Sequence, residues 1–185
     1  MDDTAEMLDH YRITRLVAEY CHGCDRIDQE EMASVYAEES WDDHGMTRMD
    51  GRDFARAAMG RRAKRNDTMS HHLNQTLVRI DGDRAGAETY FIAIVGDRDE
   101  NGQPLIDQLG GRYVDELIRT DSGWRITKRL TIRDWSVTIP VVQDRMARRD
   151  MLEGQPDQSD PSYAALGKRH SGTPPLHFVP RANDR

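Results

Sequence analysis

Residues 69 to 95 read MSHHLNQTLVRIDGDRAGAETYFIAIV, two β-type runs around the turn Asp81-Gly82-Asp83. Asp-Gly between alternating runs is a strong hairpin signal, because the turn needs backbone angles that glycine and its acidic neighbours tolerate. Met69 to Ile80 and Ala85 to Val95 are therefore expected as paired strands. The pattern continues outward. Asp99-Glu100-Asn101-Gly102-Gln103-Pro104 is a longer turn, Leu105 to Thr120 a long third strand, Asp121-Ser122-Gly123 a tight turn, and Trp124 to Ile139 a fourth strand.

Upstream of this meander the period changes. Ile13, Leu16, Val17, Tyr20, Cys21 and Cys24 recur at steps of three and four, which places them on one helix face. Asp3-Thr4-Ala5-Glu6 has the form of a capping box for that helix, and Gly23 with Asp25 marks its end. Asp28 followed by Glu31 repeats the capping pattern and predicts a short helix from Gln29 to Val35. Glu38 to Met49 reads as irregular or a hairpin, Asp50-Gly51 as a turn, and Asp53 to Arg65 as a third helix. Helices first and an antiparallel meander afterwards give an α+β class: N-terminal helices packed on a strongly curved, mostly antiparallel sheet. Such a cone-shaped barrel encloses a small-molecule pocket. The first domain runs over residues 1–140. Residues 141–185 form an appendage, with a helix over 141–152 and then a tail rich in Gly, Pro, Ser and Asp. Leu166, Leu176, Phe178 and Val179 give the tail apolar grip, so it is expected to dock partly, over the pocket or a neighbouring subunit.

The net charge of −7 argues against nucleic acid or an anionic membrane as partner. The basic run Arg61-Arg62-Ala63-Lys64-Arg65 reads as a solvated helix face. No secretory signal or membrane-length apolar run is visible, which predicts a cytoplasmic protein. Cys21 and Cys24 read as small buried residues on a helix. A redox pair would open a helix after a strand, and a zinc site would need a second pair.

Three places hold polar residues that need explaining: Tyr20 with Asp25, His71-His72, and Arg129 with Arg133. Adjacent strand residues face opposite ways, so one histidine of the pair points inward. Arg129 and Arg133 share a face with Thr127 and Thr131, while Trp124, Ile126, Leu130 and Ile132 take the other. These residue types permit proton abstraction. A histidine serves as base, a carboxylate holds its tautomer, and a tyrosine or arginine stabilises developing charge. That chemistry requires neither metal nor cofactor.

From Ala5 to Trp135 the chain resembles the SnoaL-like branch of the nuclear-transport-factor-2-like superfamily. The marks are Tyr20-Cys-His-Gly-Cys-Asp25, Trp41-Asp42-Asp43-His44-Gly45, Ser70-His71-His72-Leu73-Asn74, Ile80-Asp81-Gly82-Asp83, Gly111-Arg112-Tyr113, and Gly123-Trp124-Arg125-Ile126 with Arg129. This branch is similar to scytalone dehydratase, hexachlorocyclohexane dehydrochlorinase and bile-acid 7α-dehydratase, and to lyases that act on lignin-derived diarylpropane diols. The resemblance implies a cofactor-independent lyase with a His–Asp dyad. Asp25 matches the family aspartate, His71 or His72 the histidine (with His71 favoured by the count back from Asp81), Tyr20 the tyrosine, and Arg129 or Arg133 the arginine. A further family acid matches Asp97, Asp107 or Asp115. Trp41, His44, Tyr90 and Tyr113 are the residues expected to contact substrate. The branch implies a homo-oligomer, trimer before dimer, and an outward-facing row Trp124-Ile126-Leu130-Ile132 would need such cover. The competing readings are a ketosteroid-isomerase-like isomerase or polyketide cyclase, and a non-catalytic partner like a dioxygenase β-subunit.

Overall fold

A computed structural model describes residues 3–65, 68–144 and 151–166. Helix α1 spans Asp3–Asp25, α2 Gln29–Ser34 and α3 Gly51–Arg65. The strands are β1 Tyr36–Asp43, β2 Arg48–Met49, β3 Met69–Asp81, β4 Arg84–Arg98, β5 Pro104–Thr120 and β6 Gly123–Pro140, and a short α4 covers Pro161–Leu166. The sheet order is β2-β1-β6-β5-β4-β3. Every pairing is antiparallel except β1 with β6. The helices pack on the inner face of this curved sheet, as the sequence leads one to expect.

Within Glu38 to Met49, expected as irregular or a hairpin, β1 and β2 pair antiparallel as a short hairpin, and β1 also pairs in parallel with β6. Helix α1 buries Ile13, Leu16, Val17, Tyr20, Cys21 and Cys24. Gly23 is not its stop signal. It lies inside the helix, where a Cβ would come within 2.6 Å of the Met32 backbone nitrogen, so it lets α2 approach closely. The helix ends two residues later, at Asp25, where the sequence places its end. Asp28 N–H donates to Gly23 O at 2.8 Å and Ile27 N–H to Cys24 O at 3.4 Å, around Ile27 at φ 51°. That bond pattern is a Schellman end, with isoleucine where glycine is usual. It leaves Asp25 on the last helical turn. Asp28 then caps α2 by accepting from Glu31 N–H at 3.0 Å.

Buried Arg62 donates to the Cys24 carbonyl and so satisfies one of the open acceptors at the end of α1. Within the basic run expected to be solvated, Arg61 is exposed but Arg62 is structural. Cys21 and Cys24 are buried thiols outside any disulfide, and burial raises the Cys21 thiol well above its ordinary range.

The appendage is described only in part. Residues 141–144 and 151–152 carry no helix, and 145–150, Leu176, Phe178 and Val179 lie outside the described residues. Leu166 is exposed rather than an apolar anchor. Residues 154–163 are held instead by polar contacts to the end of α1 and to Asp28. Arg26 Nη1 donates to Gln155 O at 3.1 Å, Tyr163 Oη to Asp28 Oδ2 at 2.9 Å, and His22 Nε2 lies 3.3 Å from Ser162 Oγ.

Candidate active site

The inner face of the sheet is read from its registers. Strands β4, β5 and β6 place Ala87, Asp115 and Arg129 in one row, then Thr89, Tyr113 and Thr131, then Phe91, Gly111 and Arg133. The pairing shifts between Glu116 and Leu117, opposite residues 126–128 of β6. This bulge inserts one extra residue and reverses the facing of everything beyond it. Ile126 and Arg129 are therefore both buried inside, three residues apart. Trp124 and Ile126 are core residues, not part of an outward apolar row, and only Leu130 and Ile132 turn outward. A strict alternation read from sequence fails here because one inserted residue changes the parity.

His71 lies on the same face as its partner Ala93, which is buried. His72 is exposed on the other side. The Asp25 carboxylate grips His71 twice. Its Oδ1 sits 2.6 Å from Nδ1, and its Oδ2 accepts from the His71 backbone N–H at 2.9 Å. The side chains are 13% and 7% exposed, respectively. With Nδ1–H donating to the carboxylate, Nε2 of a neutral ring carries the lone pair. The Phe91 ring lies 6.1 Å from the imidazole. A cavity of about 280 Å³ opens beside Asp25, lined also by Arg26, Met69, Ser70 and Ile94 and, from the tail, Gln155; His71 is not among its lining residues.

Arg129 sits deeper. Its Nε and Nη2 donate to Asp115 Oδ1 and Oδ2, both at 2.7 Å, and both side chains are 0% exposed. Its guanidinium carbon lies 4.1 Å from the Tyr20 ring centroid and 4.2 Å from that of Tyr113. Burial opposes the charge on Arg129, but the Asp115 carboxylate more than offsets it and holds the group protonated. Burial also raises the phenols of Tyr20, Tyr36 and Tyr113 well above their ordinary range. Tyr113 stacks on Phe91 at 4.2 Å, so an aromatic floor links the His71 region to Tyr20.

The other expected site residues are scattered. Arg133 shares the inner row with Phe91 and Gly111 but is exposed, and donates to Ser136 Oγ at 3.1 Å. Trp41 is exposed, alternating with buried Asp42. Tyr90 alternates with buried Thr89 and Phe91 and so lies on the outer face, near Arg112; it does not line the interior. Of the three candidate acids, Asp115 is the Arg129 partner, Asp107 accepts from Thr138 Oγ1 at 2.5 Å, and Asp97 lies near the far end of β4.

His44 is placed differently from a simple contact residue. Its Nδ1 makes a short hydrogen bond to Asp42 Oδ1, its Nε2 lies 3.2 Å from Tyr20 Oη, and its ring stacks on Phe54 at 4.1 Å. Sequence reading marked His44 but missed Asp42 as its partner. The available signal was Asp-x-His at the end of a strand, where residues two apart can fall on one side.

Several solved structures share this architecture. A Mycobacterium tuberculosis protein of unknown function is 26% identical, with a TM-score of 0.58 over 69% of this chain and 77% of that one. A Novosphingobium aromaticivorans protein assigned as a scytalone dehydratase is 18% identical, with a TM-score of 0.64 over 78% of this chain and 100% of its own. A hexachlorocyclohexane dehydrochlorinase from Novosphingobium barchaimii is 14% identical, with a TM-score of 0.65 over 77% and 98% of the two chains. At the last two identities the likeness speaks to the fold, which is nuclear-transport-factor-2-like. A sequence search of curated proteins finds no match. The SnoaL-like domain profile matches residues 5–130, from the first turn of α1 to the inner stretch of β6, and the chain therefore belongs to the SnoaL-like domain family.

Proposed function

We propose that this chain is a cofactor-independent lyase acting on a small, largely apolar, hydroxylated aromatic molecule by His/Asp-assisted elimination. The observation that carries the reading is the Asp25–His71 pair, clamped at 2.6 and 2.9 Å, with Asp25 on the wall of a cavity. His71 Nε2 takes a proton from the substrate, and Asp25 stabilises the imidazolium that forms. Acid–base catalysis of this kind contributes about 10²–10⁴ in rate. Tyr20, backed by Arg129, assists departure of the leaving oxygen. The solved structures named for a dehydratase and a dehydrochlorinase support an elimination on this fold.

The reaction is either dehydration or, on a lignin-derived diarylpropane diol, dehydration with release of formaldehyde. An isomerase of the ketosteroid type would use a carboxylate as base. Here both Asp25 oxygens are committed to His71, which favours the imidazole. Product mass tests the reading. Wild-type protein is incubated with aromatic diols, steroid-like alcohols and halogenated rings. Loss of water, of water plus formaldehyde, or of hydrogen halide supports it. Unchanged mass with a rearranged product supports the isomerase, and no conversion of any compound overturns the enzyme reading.

We further propose a homo-oligomer, trimer before dimer. The supporting observation is the row Trp135, Val137 and Ile139, exposed among the described residues at the far end of β6. Light scattering with Trp135→Ser tests it; a wild-type monomer overturns it. Among the described residues, no helix is long and apolar enough to cross a membrane.

A further inference from the structure

A second Asp–His pair stands across the aromatic floor from the first. Asp42 is fully buried, and its charge has no arginine or lysine hydrogen bonded to it among the described residues. Its Oδ2 accepts from Tyr36 Oη at 2.5 Å, and its Oδ1 from His44 Nδ1. His44 Nε2 in turn lies 3.2 Å from Tyr20 Oη and 3.0 Å from Thr131 Oγ1. The order Tyr36–Asp42–His44–Tyr20 is thus a continuous hydrogen-bonded file joining β1 to α1, with Thr131 of β6 beside it.

Two facts about this file bear on chemistry. The first concerns access. Tyr20 is only 2% exposed, whereas the His44 side chain is 22% exposed. A buried phenol that gives up its proton cannot recover it from water directly, but His44 touches both the phenol and solvent. The second concerns charge. The Arg129 guanidinium lies 4.1 Å over the Tyr20 ring, where it would stabilise a transient phenolate. The other charged or titratable groups around this point are Asp115 and Tyr113 on β5, Tyr36 and Asp42 on β1, and Cys21 and Cys24 on α1. Buried hydrogen-bonded files of this kind are costly when incomplete, and every link of this one is made.

We infer that Asp42 and His44 are positioning residues that orient the Tyr20 hydroxyl and reload its proton, so that Tyr20 serves as the acid opposite His71. This rests on the lyase reading above. The substrate C–H bond breaks, its proton goes to His71 Nε2, and its electrons form the new double bond. The C–O bond breaks, and the departing oxygen takes the Tyr20 proton and leaves as water. Solvent protonates His44 at its exposed edge, the Asp42 carboxylate stabilises the imidazolium, and the proton passes from Nε2 to the phenolate. His71 returns its proton to solvent, so the cycle closes without net proton change.

The test has two arms. In the first, histidine nitrogen NMR at a single neutral pH records the ring nitrogens of His44 and His71 in wild type, Tyr20→Phe and Asp42→Asn. The expected result is that the His44 Nε2 signal moves in Tyr20→Phe and its Nδ1 signal in Asp42→Asn, with both His71 signals unchanged. A His44 spectrum indifferent to Tyr20→Phe overturns the inference. In the second arm, the diol converted by wild type is assayed across pH with His44→Gln and Tyr20→Phe. The expected result is a kcat lowered at least about tenfold with KM changed less than about threefold. The double variant should be no slower than Tyr20→Phe, and the limb of the pH profile assigned to the acid should move. Unchanged kcat in His44→Gln, or additive losses, makes the file structural only and overturns the inference while leaving the His71 reading intact. Failure of wild type to convert any diol removes the lyase reading, and with it the acid role of Tyr20.

Discussion

Replacing Arg129 by methionine is a direct way to weigh the interior of this cone. The guanidinium makes two 2.7 Å bonds to Asp115, and neither side chain is exposed. At an effective dielectric of about 20, opposite charges about 4 Å apart attract by about 4 kcal/mol. Removing one partner of a buried pair costs about 3–5 kcal/mol, because the carboxylate left behind has neither water nor a counter-charge. The ring contacts on Tyr20 and Tyr113 add about 1 kcal/mol more. A loss near 4 kcal/mol is a large share of the 5–15 kcal/mol typical of a domain, and corresponds to about 8–16 °C in Tm at this size. The double replacement Arg129→Met with Asp115→Leu removes both charges together and is expected to recover all but about 1–2 kcal/mol. Urea denaturation followed by circular dichroism at neutral pH measures all three proteins. A single variant within about 1 kcal/mol of wild type, or a double variant as unstable as the single, would refute the reasoning.

Three further outcomes follow from other contacts. Asp9 accepts from Arg119 at 2.9 and 2.7 Å and from Trp124 Nε1 at 3.0 Å, and these bonds, Arg119 first, hold its carboxyl far below the ordinary range against the effect of burial. Its contribution to stability is therefore complete above its unfolded pKa of about 3.9 and lost as pH falls below it, so wild type should lose more stability on acidification than Asp9→Asn. His22 is raised, chiefly by the 2.5 Å hydrogen bond to Glu31 with burial opposing, so its contribution is complete below about pH 6.5 and lost as pH rises through the folded value. Because His22 also touches Ser162 and Tyr163, limited proteolysis of the segment 151–166 should speed up as pH rises through neutrality in wild type but not in His22→Gln. Gly51→Ala would place a Cβ 2.2 Å from the Tyr36 ring and should cost about 1–3 kcal/mol in the same denaturation assay.

Much of the frame is written locally in the sequence. The three turns after β3, β4 and β5 contain the glycines Gly82, Gly102 and Gly123, all at positive φ. The apolar steps from Ile13 to Cys24 specify the buried face of α1. Asp25 and His71 were marked by their places at a helix end and a strand start; their contact spans 46 residues of sequence, so only the resemblance could pair them. What stayed hidden has definite causes. The bulge in β6 is a one-residue change of parity with no glycine to announce it. Ile27 takes the left-handed position that usually calls for glycine, so the turn that closes α1 after Asp25 carries no mark of its own in the sequence. The parallel pairing of β1 with β6 depends on partners more than 80 residues apart, and a short run such as YAEESWDD carries no alternation strong enough to show it. Arg62 looked like a surface charge because its partner, the Cys24 carbonyl, comes from a distant element.

The central claim is that Asp25 and His71 act together while His72 does not. The measurement that tests it most directly is the initial rate of elimination on the diol turned over by wild type, compared for Asp25→Asn, His71→Gln and His72→Gln. The account predicts losses of at least about a hundredfold for the first two, no further loss when they are combined, and a rate within about twofold of wild type for the third. Full activity in His71→Gln, or a loss in His72→Gln equal to that of His71→Gln, would contradict it.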